Sequence, residues 1–264
     1  MAKLWYYFKS IFELLFGFKN PLQVVSVFLK PAAPGRLTVR LKDPDLQLQV
    51  RGKMDIWSVK ETFIDRFYTK YGCELGKNWT IVDIGAAIGE FSLYAAAKDP
   101  GARIIAYEPF PESVELFKEN LAMNGIQNVT LIPRAVWKTA ATLDLDISRL
   151  EPLQITSGVT DKSSGSSVRV EAVSLADVLR SNKLTSVDLV KLDCEGAEFD
   201  ILLGSRPEIV KAFKRIVMEY HDGADGRHHA QLESHLQSLG YRVTSRVNVV
   251  HPQIGYLYAE LSRK

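Results

Sequence analysis

Hydrophobic and polar positions change rhythm three times along the chain. Residues 4–18, LWYYFKSIFELLFGF, are almost continuously apolar and aromatic. At helical spacing Lys9, Glu13 and Gly17 fall at i, i+4 and i+8 with Ser10 beside them, so the segment predicts a helix with a narrow polar stripe and a wide apolar face. Residues 36–52, RLTVRLKDPDLQLQVRG, alternate instead. Leu37, Val39 and Leu41, then Leu46, Leu48 and Val50, share faces on either side of Asp43-Pro44-Asp45, the signature of a β-hairpin. Residues 55–72, DIWSVKETFIDRFYTKYG, return to helical spacing with Trp57, Phe63, Ile64 and Phe67 on the apolar side.

From residue 79 the pattern is short apolar run, turn, amphipathic helix, repeated: TIVDIG and EFSLYAAAK, RIIAYEP and PESVELFKENLAMNG, NVTLIPRAV, SLADVLRS, VDLVKLD and a helix to about 213, RIVMEYH and HAQLESHLQSLG. This alternation predicts an α/β fold whose mostly parallel sheet carries helices on both faces. The tail differs, since YRVTSRVNVV and IGYLYAEL have no helix between them and are expected to pair antiparallel at one edge. Residues 1–75 are thus expected to form a helical and hairpin extension, and 76–264 the sheet domain. TSGVTDKSSGSS, 156–167, has the composition of a flexible loop and is a candidate lid over a substrate.

Composition narrows the partners. Lys plus Arg (33) nearly balances Asp plus Glu (31), which gives no reason to expect a nucleic-acid surface. Cys73 and Cys194 stand far apart without C-x-x-C spacing, which favours a reducing cytoplasm over a disulfide framework. Lys9, Glu13, Lys19 and Pro21 interrupt the first helix well short of the ~20 apolar residues of a membrane span, and no small-residue cleavage site follows. Its apolar face needs a cover: the domain itself, a second copy in a homodimer, or a membrane's inner surface met by residues 4–29 with help from Lys3, Lys9, Lys19 and Lys30.

Ligands of open parallel sheets bind beyond the carboxyl ends of the strands, where strand order reverses, and the suspect polar residues lie at such ends. The first strand of the sheet domain ends VDIGAAIGEF. Asp83 precedes a loop of Gly85, Ala86, Ala87 and Gly89, small enough for a ligand to approach its backbone. The second ends in Glu108-Pro109, nineteen residues beyond Gly89, where a carboxylate can accept hydrogen bonds from both ribose hydroxyls. Together these imply an adenosine-bearing ligand, NAD included. VKLDCEGAEFDIL then places Asp193, Glu195 and Glu198 just past an apolar strand, and MEYHD puts Glu219 and His221 at the end of the next. Glu198 also suits the first turn of a helix, where negative charge is favoured. His221 is a candidate general base because imidazole titrates near neutrality, and Asp193 with Glu219 could share a divalent metal through oxygen ligands. His228 and His229 are given no ligand role, since adjacent helical residues face different ways.

The stretches TIVDIGAAIGEFSLYAA, IIAYEPFPESVELFKENLAMNG, NVTLIPRAV and above all VDLVKLDCEGAEFDILLG resemble the FkbM-type family of S-adenosylmethionine-dependent methyltransferases from about residue 55 to the end. The resemblance implies a Rossmann-like class I methyltransferase sheet with an antiparallel last strand and transfer of a methyl group to a hydroxyl of a sugar, glycolipid or natural product. It further implies Asp83, Gly85 and Gly89, with Ala86 and Ala87, at the methionine and ribose portion of the cofactor, and Glu108 on the ribose hydroxyls. Ala135 and Val136 would lie against adenine and Asp193 near the sulfonium. The family's loop usually reads D-I-G-A-N-I-G, so Ala87 replaces an asparagine. In methyl transfer to oxygen the hydroxyl must be aligned and its proton accepted, work that suits Asp193, Glu195 and His221. Two rivals are weighed. An NAD-dependent oxidoreductase or epimerase lacks support because G-x-G-x-x-G is missing. A non-catalytic adenosine-ligand protein is the other.

Overall fold

The computed structural model describes residues 2–29, 35–146, 167–223 and 226–262. The lid expected at 156–167 therefore lies, save for Ser167, outside the described residues. The chain opens with helices α1 (Ala2–Gly17) and α2 (Pro21–Leu29), a hairpin of β1 (Leu37–Arg40) and β2 (Gln47–Val50), and α3 (Lys53–Phe63). There follow β3 (Thr80–Ile84), α4 (Glu90–Lys98), β4 (Arg103–Tyr107), α5 (Pro111–Met123), β5 (Val129–Ile132), β6 (Ala135–Val136), β7 (Ala141–Asp146) and β8 (Ser167–Val173). The rest comprises α6 (Leu175–Ser181), β9 (Leu189–Leu192), α7 (Ala197–Leu203), α8 (Pro207–Val210), β10 (Arg215–His221), α9 (His229–Ser238), β11 (Tyr241–Val247) and β12 (Ile254–Leu261).

The central sheet has seven strands in the order β11-β12-β10-β9-β3-β4-β5. The five from β10 to β5 are parallel, and β12 runs antiparallel to both β10 and β11. Strand order reverses between β3 and β9, because the chain steps outward from β3 to β5 and later returns to β3's other side with β9. β9 is buried at all four positions, as expected of a strand covered on both faces. The apolar residues Ile84, Leu192, Phe199, Ile201, Ile216 and Met218 lock β3, β9, β10 and α7 into one core.

Several elements differ from the sequence reading. A second, three-stranded sheet, β6-β8-β7, stands beside the first, so NVTLIPRAV is two strands in two sheets. The helix expected to run to 213 is two short ones, parted at Gly204–Arg206 ahead of Pro207, which presets the next helix start. The helix expected over 55–72 stops at Phe63. The amides of Ile64 and Asp65 both turn back to the Lys60 carbonyl, and Arg66 takes a left-handed φ of 55°. Lys60 explains the stop: its buried ammonium sits between Glu13 (2.9 Å) and Asp65 (2.6 Å), which ties the end of α3 to α1.

That tie also turns α1 over relative to a simple amphipathic helix. Its polar stripe faces inward, with Ser10 buried, Glu13 on Lys60 and Gly17 so close to Ile64 that an added Cβ would meet Cδ1 at 2.2 Å. The aromatic face points to solvent: Trp5 is 67% exposed and Phe16 69%. Each such side chain left in water forgoes roughly 1.5–3 kcal/mol of burial. The extension is otherwise continuous with the sheet domain, since Val39, Leu48, Ile56 and Val59 share a core with Ile88, Leu93 and Phe117. Among the described residues, no helix is long and apolar enough to cross a membrane.

Candidate active site

A cleft opens at the carboxyl ends of β3, β4, β9 and β10, the point where strand order reverses. One arm is built on the loops after β3 and β4. Gly85 has a φ of 72°, and a Cβ there would lie 1.8 Å from the Asp193 carbonyl oxygen, so only glycine lets the ends of β3 and β9 pass this closely. The amides of Gly85 and Ala86 both donate to the Tyr107 carbonyl at 3.1 Å. Gly89 caps α4 in left-handed geometry, and a side chain there would strike the Phe117 ring. Glu108 completes this arm. Its Oε2 accepts the Ala87 amide and its Oε1 the Phe110 amide, each at 2.8 Å. Burial pushes this carboxyl up to about 7 despite both amides.

The other arm is crowded with acids. Asp193 follows β9, and its Oδ2 accepts a 2.6 Å hydrogen bond from the Tyr68 hydroxyl. Beneath it the buried Lys191 ammonium donates to the Gly85 carbonyl at 2.6 Å and stands 3.2 Å from Asp83 and 4.0 Å from Asp193. Glu195 takes a φ of 53°, an unfavourable left-handed conformation of the kind that concentrates at functional sites. Glu198 accepts the amides of Cys194 (2.6 Å) and Gly196 (2.9 Å), so it pins the turn into α7, as its place in the first helical turn suggested. Glu61 of α3 and Glu219 of β10 face the same space; Glu61 accepts the Trp57 indole N–H at 2.9 Å, whereas the Glu219 carboxyl makes no hydrogen bond among the described residues. Burial raises Glu61 to about 7 and Glu195 to about 8. It also raises Glu219 well above the usual carboxylate range, helped by the charges of Asp193 and Glu61.

The cleft wall includes Gly85, Ala87, Glu108, Pro109, Ala135, Val136, Asp193 and Glu195 of the residues singled out from sequence. Four others stand behind it. Asp83 is fully buried and accepts from Ser92 at 2.7 Å while facing Lys191. Ala86 is packed inside, and Gly89 serves the start of α4. His221 lies between Glu195 (3.4 Å) and Glu198 (3.5 Å), contacts of ion-pair rather than hydrogen-bond length. Burial alone would lower its imidazolium, but the two carboxylates more than offset this and push it up to about 10. The ring thus stands beside the acidic arm, held between two carboxyl groups of the turn into α7.

Tyr68, Lys191 and Glu61 were not singled out in the sequence, and Trp57 was read only as an apolar helix position. Only Lys191, a charge inside an apolar strand, carried a signal there. A third donor does join the suspected metal pair: Asp193, Glu219 and His221 offer ligand atoms within 4.8 Å of one another. Asp222, His228 and His229 form a second such trio at the rim. The two histidines face the same way after all, with rings stacked at 4.3 Å, because His228 is the extended cap before α9 rather than a helical residue.

Comparison with known proteins agrees with this architecture. The family model of the methyltransferase FkbM domain matches residues 83–243. Methyltransferase sdnD of Sordaria araneosa is 32% identical over 70% of this chain and 81% of its own. The 31-O-demethyl-FK506 methyltransferase FkbM of Streptomyces tacrolimicus is 26% identical over 67% and 79%. The hexuronic acid methyltransferase AglP of Haloferax volcanii is 26% identical over 54% and 56%. Among solved structures, methyltransferase FkbM from Methylobacillus flagellatus KT superposes with a TM-score of 0.52 at 15% identity, over 77% of this chain and 53% of that one. With the strand order and the matched segment in agreement, the chain belongs to the FkbM family of S-adenosylmethionine-dependent methyltransferases.

Proposed function

We propose that the chain transfers a methyl group from S-adenosylmethionine to a hydroxyl oxygen of a sugar or sugar-like natural product. The observation that carries this reading is the contrast within one cleft: a glycine-lined arm ending in Glu108 faces an arm of four acids, Glu61, Asp193, Glu195 and Glu219. The residues present fit the cofactor. Glu108 has one lone pair committed on each oxygen and further acceptor capacity for ribose hydroxyls. Ala135 and Val136 offer a flat apolar wall for adenine, and the acidic arm supplies the negative charge that a sulfonium needs. When bound, the cofactor supplies an electrophilic methyl group.

The protein's own part is alignment and proton acceptance. Asp193, held by the Tyr68 hydroxyl, orients the attacking oxygen, and a carboxylate of the acidic arm accepts its proton. His221 acts behind the wall, fixing Glu195 and Glu198. The acceptor class rests on relatives whose names specify 31-O-demethyl-FK506 and a hexuronic acid. Calorimetry with S-adenosylmethionine, S-adenosylhomocysteine and NAD tests the cofactor: tight binding of NAD alone would overturn the reading. Turnover of hexuronic acid glycosides, followed as a methylene mass gain before and after chelation, tests acceptor and metal together. Loss restored by Mg²⁺ would assign the Asp193, Glu219 and His221 trio to a cation, and unchanged turnover would assign it to hydrogen bonding and proton transfer.

A further inference from the structure

Eight of the fourteen large hydrophobic side chains exposed among the described residues lie between positions 5 and 29. On α1, Trp5, Phe8, Phe12 and Phe16 follow one another at helical spacing with successive ring centroids 6.0, 4.9 and 6.5 Å apart, an aromatic ladder facing solvent. On α2, Leu22 and Leu29 are 81% and 80% exposed. The polar stripe that would normally face water is spent inside, on Lys60 and Ile64.

Charge identifies the cover. The first 53 residues carry nine Lys or Arg against three Asp or Glu, whereas the remaining 211 carry 24 against 28. Exposed Arg40 and Lys42 flank the elbow between α1 and α2, where the Arg40 carbonyl accepts the Lys19 amide and the Lys42 amide donates to the Gly17 carbonyl. Neither makes an ion pair among the described residues. Bulky aromatics beside unpaired cations, on a helix too short to span, match a surface that lies in the headgroup layer of an anionic bilayer.

We propose that α1 and α2 dock the protein on an anionic lipid surface with the mouth of the cleft beside it. The connection to the cleft is direct: Tyr6 and Tyr7 pack on Trp57 at 5.9 and 6.4 Å, and Trp57 and Met54 line the cleft. An acceptor hydroxyl on a lipid-anchored headgroup would thus reach the acidic arm along an apolar ramp. This last step rests on the methyltransfer reading, whereas docking does not, and the two are measured separately.

Co-sedimentation of the full chain with phosphatidylcholine vesicles, with and without phosphatidylglycerol, tests docking. The expected result is binding to the anionic vesicles, weakened by salt. It should fall at least roughly tenfold in a Phe8→Glu, Phe12→Glu double variant and by a smaller factor in Arg40→Glu, Lys42→Glu. Unchanged unfolding temperature and cofactor affinity in both variants would exclude misfolding as the cause. Wild-type protein that stays in the supernatant with both vesicle types would overturn the proposal. So would ultracentrifugation showing a dimer that the Phe8→Glu, Phe12→Glu change dissolves, which would make a second copy the cover.

Discussion

The two arms of the cleft solve opposite problems. On the β3 and β4 side the loops are held by backbone amides: Glu108 accepts two, the Tyr107 carbonyl two more, and Gly85 and Gly89 remove the side chains that would intrude. On the β9 and β10 side Glu61, Glu195 and Glu219 crowd together, and their ionisation is suppressed by burial. The first arm is thus organised by backbone amides and glycines, the second by a concentration of acids. If the proposed cofactor reading holds, each arm can be disturbed without the other.

Gly85→Ala should have the largest effect, because a Cβ would collide with the Asp193 carbonyl and burden a left-handed residue. A loss of roughly 3 kcal/mol or more in chemical denaturation, with cofactor binding gone, is expected. Asp193→Asn should cut turnover roughly 10²- to 10⁴-fold while cofactor affinity changes little; equal losses in both would mean that the arms are not separable. Glu108→Ala should weaken S-adenosylmethionine and S-adenosylhomocysteine alike, by about 10- to 100-fold in calorimetry, because a charged hydrogen-bond acceptor is lost.

The pH dependence sharpens the contrast. Glu61 and Glu108 both sit at about 7, so raising the pH from 6 to 8 ionises them and should tighten the cofactor. Ribose recognition by Glu108 is common to both ligands, but only the sulfonium gains from charge on Glu61. S-adenosylmethionine should therefore tighten several-fold more than S-adenosylhomocysteine, which lacks the sulfonium charge, across that range. Parallel curves would remove the electrostatic role given to the acidic arm. The smallest effect should come from Ala87→Asn. Ala87 has a φ of 46°, where asparagine is tolerated better than alanine, so thermal unfolding should rise by an amount equivalent to roughly 0.5–1 kcal/mol.

The finished arm was far more legible in the sequence than the acidic one. A glycine loop and an acid at consecutive strand ends are local features, and periodicity alone placed β3, β4, β9 and β10. Tyr68 meets Asp193 across 125 residues of chain, and it does so only because α3 stops early at Lys60, a consequence of burial and ion pairing that no local pattern reveals. The same tie decides which face of α1 meets the domain, a choice the sequence left open. The β6-β8-β7 sheet was missed for a different reason: β6 has only two residues, and β7 and β8 are parted by residues 147–166. His221 was placed at the correct strand end, but its role depends on two flanking carboxylates that spacing could not orient.

Lys191 gives both arms a common counter-ion. One ammonium, sealed under the floor, donates to the Gly85 carbonyl and stands within ion-pair reach of Asp83 and Asp193. A single side chain thereby fastens the tip of β9 to the turn after β3 from below, so replacing Lys191 would loosen both strand ends at once.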